Sequence, residues 1–276
     1  MRSLRNRFGF RHLLATTLVL VGATILLGVA AKATGAGLGC EANWPQCDAG
    51  PFNLFPAHIV SFYEWFHRFV SMFAGFAIIG TAVASLRLSS VDRRVTALVV
   101  LGTVLTPIQV VLGWQTVEQY TMDILSLHFW TAVLIFTLFV VATILVWAPR
   151  LTAGHVTAVL TLGAVTVPFH VALSPLNLTD ITSYSPSVQI AQYGVSLALL
   201  SAGIFAAMVG RRRFERAQIR RVLLATPILA FLMIFFGRQS GSGFDQLIDL
   251  TYIGITAVLF VTIIAGIWLT KTKRSQ

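Results

Sequence analysis

Charge is what this chain has least of. Asp, Glu, Lys and Arg make up 11% of its 276 residues, against about 25% in an ordinary soluble domain. Cysteine is almost missing too. The two that exist allow a single disulfide, and no Cys or His pair near them completes a tetrahedral zinc set. What fills the chain instead is apolar: 56% hydrophobic residues and a mean hydropathy of +0.81. A soluble fold cannot hide that much apolar surface, so lipid must be the solvent. With roughly 20 apolar residues per span, the length accommodates eight helices and leaves no room for a separate soluble domain.

A formal charge of +10 raises the question of nucleic acid, and position answers it. Apolar runs separated by charged or Pro/Gly-rich breaks give spans at 12–32, 59–86, 95–115, 124–148, 156–174, 187–210, 222–238 and 246–270. Seventeen of the 20 Lys and Arg residues fall in alternate connections or at the two ends. They are Arg2, Arg5, Arg7 and Arg11, Arg87, Arg93 and Arg94, Arg150, the six between Arg211 and Arg221, and Lys271, Lys273 and Arg274. This is a topology signal that puts both termini in the cytoplasm, not a nucleic-acid face. Glu41, Asp48, Glu118, Asp123, Asp180 and Asp245 then lie outside. The opening basic segment and apolar run resemble a signal peptide, but the run is longer than the roughly 7–15 residues of a signal core and reads as the first span. With no room for a transit peptide ahead of it, a prokaryotic cell membrane is the expected location.

A faint repeat divides the chain. Thr131-Ala-Val-Leu134 recurs as Thr256-Ala-Val-Leu259, and Gly113-Trp-Gln-Thr116 has an echo in Gly237-Arg-Gln-Ser240. The near-constant offset points to two related four-helix halves, 1–150 and 151–276. The expected fold is therefore all-α and polytopic.

Two histidines stand out. His67 in span two and His128 in span four both lie roughly 6–12 Å below the outer boundary. Imidazoles inside a membrane face a bundle interior or a cofactor, and two at one depth match an axial bis-histidine haem site. A pair hydrogen-bonded to other helices is the alternative. Glu64 lies one turn outward of His67, on roughly the same face. It reads either as a proton-handling carboxylate or as a structural partner of Arg68 at i, i+4. His12, His58 and His155 lie at span edges and read as boundary residues. In the first outer loop, Cys40 and Cys47 flank a Trp44-Pro45 turn, as a clip that orders the loop or as a redox pair.

Together these motifs resemble the haem A synthase family. The run Lys32-x-Thr34-Gly35-x-Gly37-Leu38-x-Cys40, then Trp44-Pro45-x-Cys47, is similar to that family's first-loop signature, with Lys32 where Arg is usual. Glu64-Trp-Phe-His67-Arg68, Leu112-Gly113-Trp-Gln-Thr116-Val117 and Leu127-His128 resemble its second, third and fourth helices. The likeness covers roughly residues 20–135. It implies an enzyme that oxidises the C8 methyl of haem O to the formyl of haem A for terminal oxidases. It also implies that His67 and His128 bind the haem iron, with Arg68 beside them and Glu64 and the cysteine pair near the reaction. Haem O synthase, terminal oxidase assembly machinery and a second copy of the chain are the implied partners.

The likeness fails in the second half, where the family carries a histidine pair for haem b. The repeat offset puts Gln192 opposite His67 and Ile253 opposite His128, and neither is an ordinary haem ligand. Gln189, Asp249 and Tyr252 lie nearby, and His170 is the spare histidine. The second half is thus expected to lack haem b. Rival readings are a non-catalytic haem-binding or haem-delivery assembly protein and a b-type electron-transfer protein. A transporter built on helices interrupted at Pro107, Pro168 and Pro227 is a further rival, which no midplane charge cluster supports.

Overall fold

The computed structural model describes residues 9–38, 40, 47, 55–56, 58–176, 184–240 and 246–272. The expectations placed on Arg2, Arg5, Arg7, Glu41, Trp44, Pro45, Asp48, Asp180, Asp245, Lys273 and Arg274 lie outside these residues. Among the described residues there is no strand. The helices are α1 (Phe10–Ala33), α2 (Ile59–Arg87), α3 (Arg93–Glu118), α4 (Met122–Trp147), α5 (Ala153–Ala172), α6 (Pro186–Arg213), α7 (Ala217–Gln239) and α8 (Gln246–Thr272). All eight are long and apolar enough to cross a membrane, and the chain is a multi-pass membrane protein.

The helix ends follow from local chemistry. The Asp92 carboxylate accepts from the Arg94 amide at 2.7 Å and opens α3. Ser185 caps α6 just before Pro186, which has no amide proton to satisfy. His12 and His155 are capping residues: each lends Nδ1 to the backbone amide three residues before it, at Gly9 and Thr152. Within the apolar helices, Thr and Ser hydroxyls mostly donate to the carbonyl one turn back, as Thr24 does to Leu20. Such bonds keep a hydroxyl satisfied where water is absent. Pro107, Pro168 and Pro227 lie inside α3, α5 and α7, which run on through them; the interruption expected at these prolines is not found.

The chain divides into two compact units, Met1–Trp147 and Ala148–Gln276. In the first, α1 and α3 each pack against both α2 and α4. The second repeats this closed ring: α5 and α7 each pack against both α6 and α8. Neighbours run antiparallel. Thr17 of α1 meets Thr81 near the far end of α2 at 2.8 Å, and Thr157 of α5 meets Thr270 of α8 at 3.1 Å.

Small residues set how closely the helices approach, as expected where lipid removes the hydrophobic drive between them. The tightest crossing is α6 on α7, where a Cβ at Gly203 would sit 2.8 Å from the backbone nitrogen of Pro227. Backbone cannot step aside as a side chain can. Gly203→Ala is therefore expected to cost about 1–3 kcal/mol of overpacking, read as a lowered thermal midpoint of the detergent-solubilised protein. Gly80→Ala, with nothing within 4 Å of the added carbon, should leave that midpoint in place.

Candidate functional site

The first unit brings the sequence-predicted residues to one end of its ring. Helix α2 carries Ser61, Glu64, His67 and Ser71 at successive three- and four-residue steps, one face of a helix. His67 is eight residues into α2 and His128 six into α4, roughly 9–12 Å along each axis. The two imidazoles lie within electrostatic reach of one another.

His67 is fixed from two sides. Its Nδ1 lies 3.0 Å from the Thr24 carbonyl oxygen of α1. A carbonyl can only accept, so Nδ1 carries the proton and Nε2 is left with its lone pair, the tautomer a metal ligand needs. The edge of the ring rests on Gly28, where a Cβ would come within 3.1 Å of Cε1. His128 has the same glycine seat: a Cβ at Gly113 of α3 would lie 3.1 Å from its Cε1. Its nitrogens are placed differently. The Gln109 amide Nε2 donates to His128 Nε2 at 3.3 Å, while His128 Nδ1 and Gln109 Oε1 are buried without a hydrogen-bond partner. These orphaned atoms and the two glycine seats suit a planar group held between paired imidazoles.

Around the pair sit the charged and redox-capable groups. Arg68 Nε donates to Glu64 Oε1 at 2.9 Å, both side chains being largely buried at 14% and 13% exposure. The i, i+4 ion pair is therefore present, one turn from His67. Cys40 and Cys47 form a disulfide. Cys47 Sγ lies 4.0 Å from the Ser61 carbonyl oxygen, which sets the bridge one turn before Glu64 on the α2 ladder. Gly35, at φ 72°, adopts the left-handed conformation that lets the chain turn after α1. Beyond it, a Cβ at Gly37 would touch the Tyr120 ring at 3.5 Å. Burial, and then the Glu64 carboxylate, push the Tyr120 phenol above its ordinary pKa.

Gln109 and Tyr120 are absent from the sequence reading. Gln109 could have been found, since it precedes Gly113 by one turn of α3 and so shares the face on which His128 rests. Tyr120, between two helices, carried no comparable signal.

The second unit is built differently at the matching position. Gly237 of α7 seats the ring of Tyr252, with a Cβ there 2.8 Å from Cε2. This reproduces the Gly113–His128 seat 124 residues later, so Tyr252, not Ile253, is the counterpart of His128; Ile253 is 36% exposed. His170, 2% exposed, lies between Tyr252 and Ser196. The Ser196 hydroxyl donates to the Gln192 carbonyl at 2.8 Å, so it accepts from His170 Nδ1–H at 3.3 Å. His170 Nε2 then accepts from the Tyr252 hydroxyl at 2.9 Å. Tyr184 donates to Gln192 Oε1 at 2.7 Å, and burial raises its pKa, keeping it a donor. His170, Tyr252 and Gln192 are engaged in this network, and no second histidine among the described residues stands at this level to pair with His170, so these residues do not make the paired-imidazole site that haem b would need. Tyr252→Phe should thus lower stability by about 1–3 kcal/mol by stranding His170 while leaving haem content unchanged, as thermal melts and haem assays of one preparation would show.

Among the described residues, no group of three or more His, Cys, Asp or Glu could hold a metal ion; two axial imidazoles are what a haem requires.

Part of the chain resembles known proteins. Residues 51–179 match the family model described as cytochrome oxidase assembly protein, a range that contains Glu64, His67, Arg68, Gln109 and His128. A haem A synthase of Bacillus licheniformis is 31% identical over 136 residues, 49% of this chain and 42% of that protein. A protohaem IX farnesyltransferase of Haloarcula marismortui is 36% identical over 104 residues, 38% of this chain and 21% of that protein. One from Halobacterium salinarum is 35% identical over 107 residues, 39% and 22% of the two chains. The chain thus spans less than half the length of these relatives. No solved structure matches.

Proposed function

We propose, from the match of residues 51–179 to the cytochrome oxidase assembly family model and the likeness to a haem A synthase, that this chain is a haem A synthase-type protein whose first unit binds haem O between His67 and His128 and oxidises the C8 methyl to a formyl. The observation that carries this reading is the pair of glycine-seated imidazoles, with Glu64 one turn away on α2.

Each residue has a role in that chemistry. Thr24 and Gly28 fix His67 with Nε2 free to ligate, and Gly113 admits the His128 ring. Bound haem supplies iron as the centre through which electrons leave the substrate. Turning a ring methyl into a formyl removes four electrons and four protons and takes its oxygen atom from water, so a proton acceptor is needed beside the reacting carbon. Glu64, paired with Arg68, is that acceptor. Arg68 also offers a cation to the propionates of a bound porphyrin. The disulfide joins Cys40 to Cys47, and Cys47 lies against the Ser61 carbonyl near the start of α2. The second unit has no histidine pair at the matching position, so the electrons pass to an external carrier.

By the charge pattern, the site faces the outside of a cell membrane with both termini in the cytoplasm. Haem O synthase would supply the substrate and the terminal oxidase assembly machinery would take the product. Non-catalytic haem delivery is the second reading, favoured by the second unit's closed polar network. Reduced-minus-oxidised spectra of membranes from a strain that makes haem O but no haem A separate the two. Expression of this chain should add a haem A band that empty-vector membranes lack; haem O alone would support delivery.

A further inference from the structure

The two imidazoles of the first unit are not equivalent, and the difference bears on how a haem would leave. His67 presents a free Nε2, because Thr24 takes its Nδ1 proton. On His128 the same atom is covered by the Gln109 amide at 3.3 Å. With the amide turned over, Oε1 would accept a hydrogen bond from Nε2–H, so in either orientation the bond occupies this nitrogen. Gln109 thus bonds the ring nitrogen that iron would take, and its own second polar atom remains unsatisfied.

We propose that Gln109 competes with haem iron for Nε2 of His128 and so keeps this axial bond exchangeable. The proposal rests on the reading of His67 and His128 as an axial pair. A resident cofactor gains from two permanent ligands. A substrate haem has to depart as product, and an internal donor that recaptures the imidazole favours departure. Gln109 is a positioning residue in this scheme: it acts on the haem only through His128. His67, with its ring bonded on the side away from the iron, is the anchor.

The test is haem transfer from protein loaded with haem b in detergent to excess apomyoglobin, followed optically, with the low-spin spectrum recorded beforehand. Gln109→Met keeps the side chain's length and removes its hydrogen bond, and Gln109→Ala is the second variant should Met not fold. Either is expected to slow haem release about 3–10-fold, the worth of one hydrogen bond, with a low-spin spectrum retained. In a His128→Ala background the Gln109 substitution should have no further effect on release. Unchanged or faster release from low-spin Gln109 variants would overturn the proposal. A slowing that persists without His128 would also overturn it, because Gln109 would then act on the haem by another route. A wild type that takes up no haem, or whose spectrum and release are indifferent to His128→Ala, would overturn the axial-pair reading on which the proposal rests.

Discussion

Removing the imidazole of His67 should empty the site: purified His67→Ala is expected to carry less than about one-tenth of the haem of the wild type. The physical case is that the Thr24 and Gly28 contacts of this ring leave Nε2 free to ligate. Thr24 holds Nδ1 at 3.0 Å, and Gly28 leaves room for the ring edge. Without the imidazole, that seat offers only a backbone carbonyl and a glycine, neither of which ligates iron. His128→Ala should weaken haem binding less, because the Gln109 bond already opposes ligation there. Haem content by alkaline pyridine assay, with thermal melts to confirm folding, checks both. Full haem in His67→Ala would move the site elsewhere.

The second large effect is expected at Glu64. Glu64→Gln should retain haem yet lower haem A formation about 100-fold or more, the usual scale for loss of a positioned proton acceptor, so that haem O accumulates on the protein. The ion pair with Arg68 complicates the single substitution, since it deprives a largely buried guanidinium of its carboxylate. The double variant Glu64→Gln/Arg68→Gln removes both charges together. If Glu64 takes protons during turnover, the double variant stays inactive although its fold recovers. If the pair is structural alone, the double variant forms as much haem A as Arg68→Gln, which loses the same cation. Chromatography of the extracted haem reads both cases.

Much of this architecture was legible because each feature leaves a strong, one-dimensional trace. Eight apolar runs and the alternation of basic connections suffice for eight helices. Boundaries drifted where charge and helix coexist: α7 begins at Ala217 and takes in Arg220 and Arg221, which a hydropathy reading leaves outside the span although Arg is a good helix former. His67, His128 and Glu64 could be read as a group because intramembrane ionisable residues at one depth are rare. The counterpart of His128 was missed by one residue. The Thr131 and Thr256 repeat suggests an offset of 125, while the glycine seats differ by 124. One residue on a helix is a rotation of about 100°, enough to turn the chosen residue from the interior to the surface. Gln109 was missed for another reason: its importance lies in which imidazole nitrogen it touches, and that is a property of two helices together.

The most direct test of the central claim is chromatography of the haem extracted from wild-type protein purified from cells that also make haem O. Haem A, absent from His67→Ala and replaced by haem O in Glu64→Gln, is the expected result. Haem O alone on the wild type would contradict the oxidation, and a wild type free of haem would contradict the site itself.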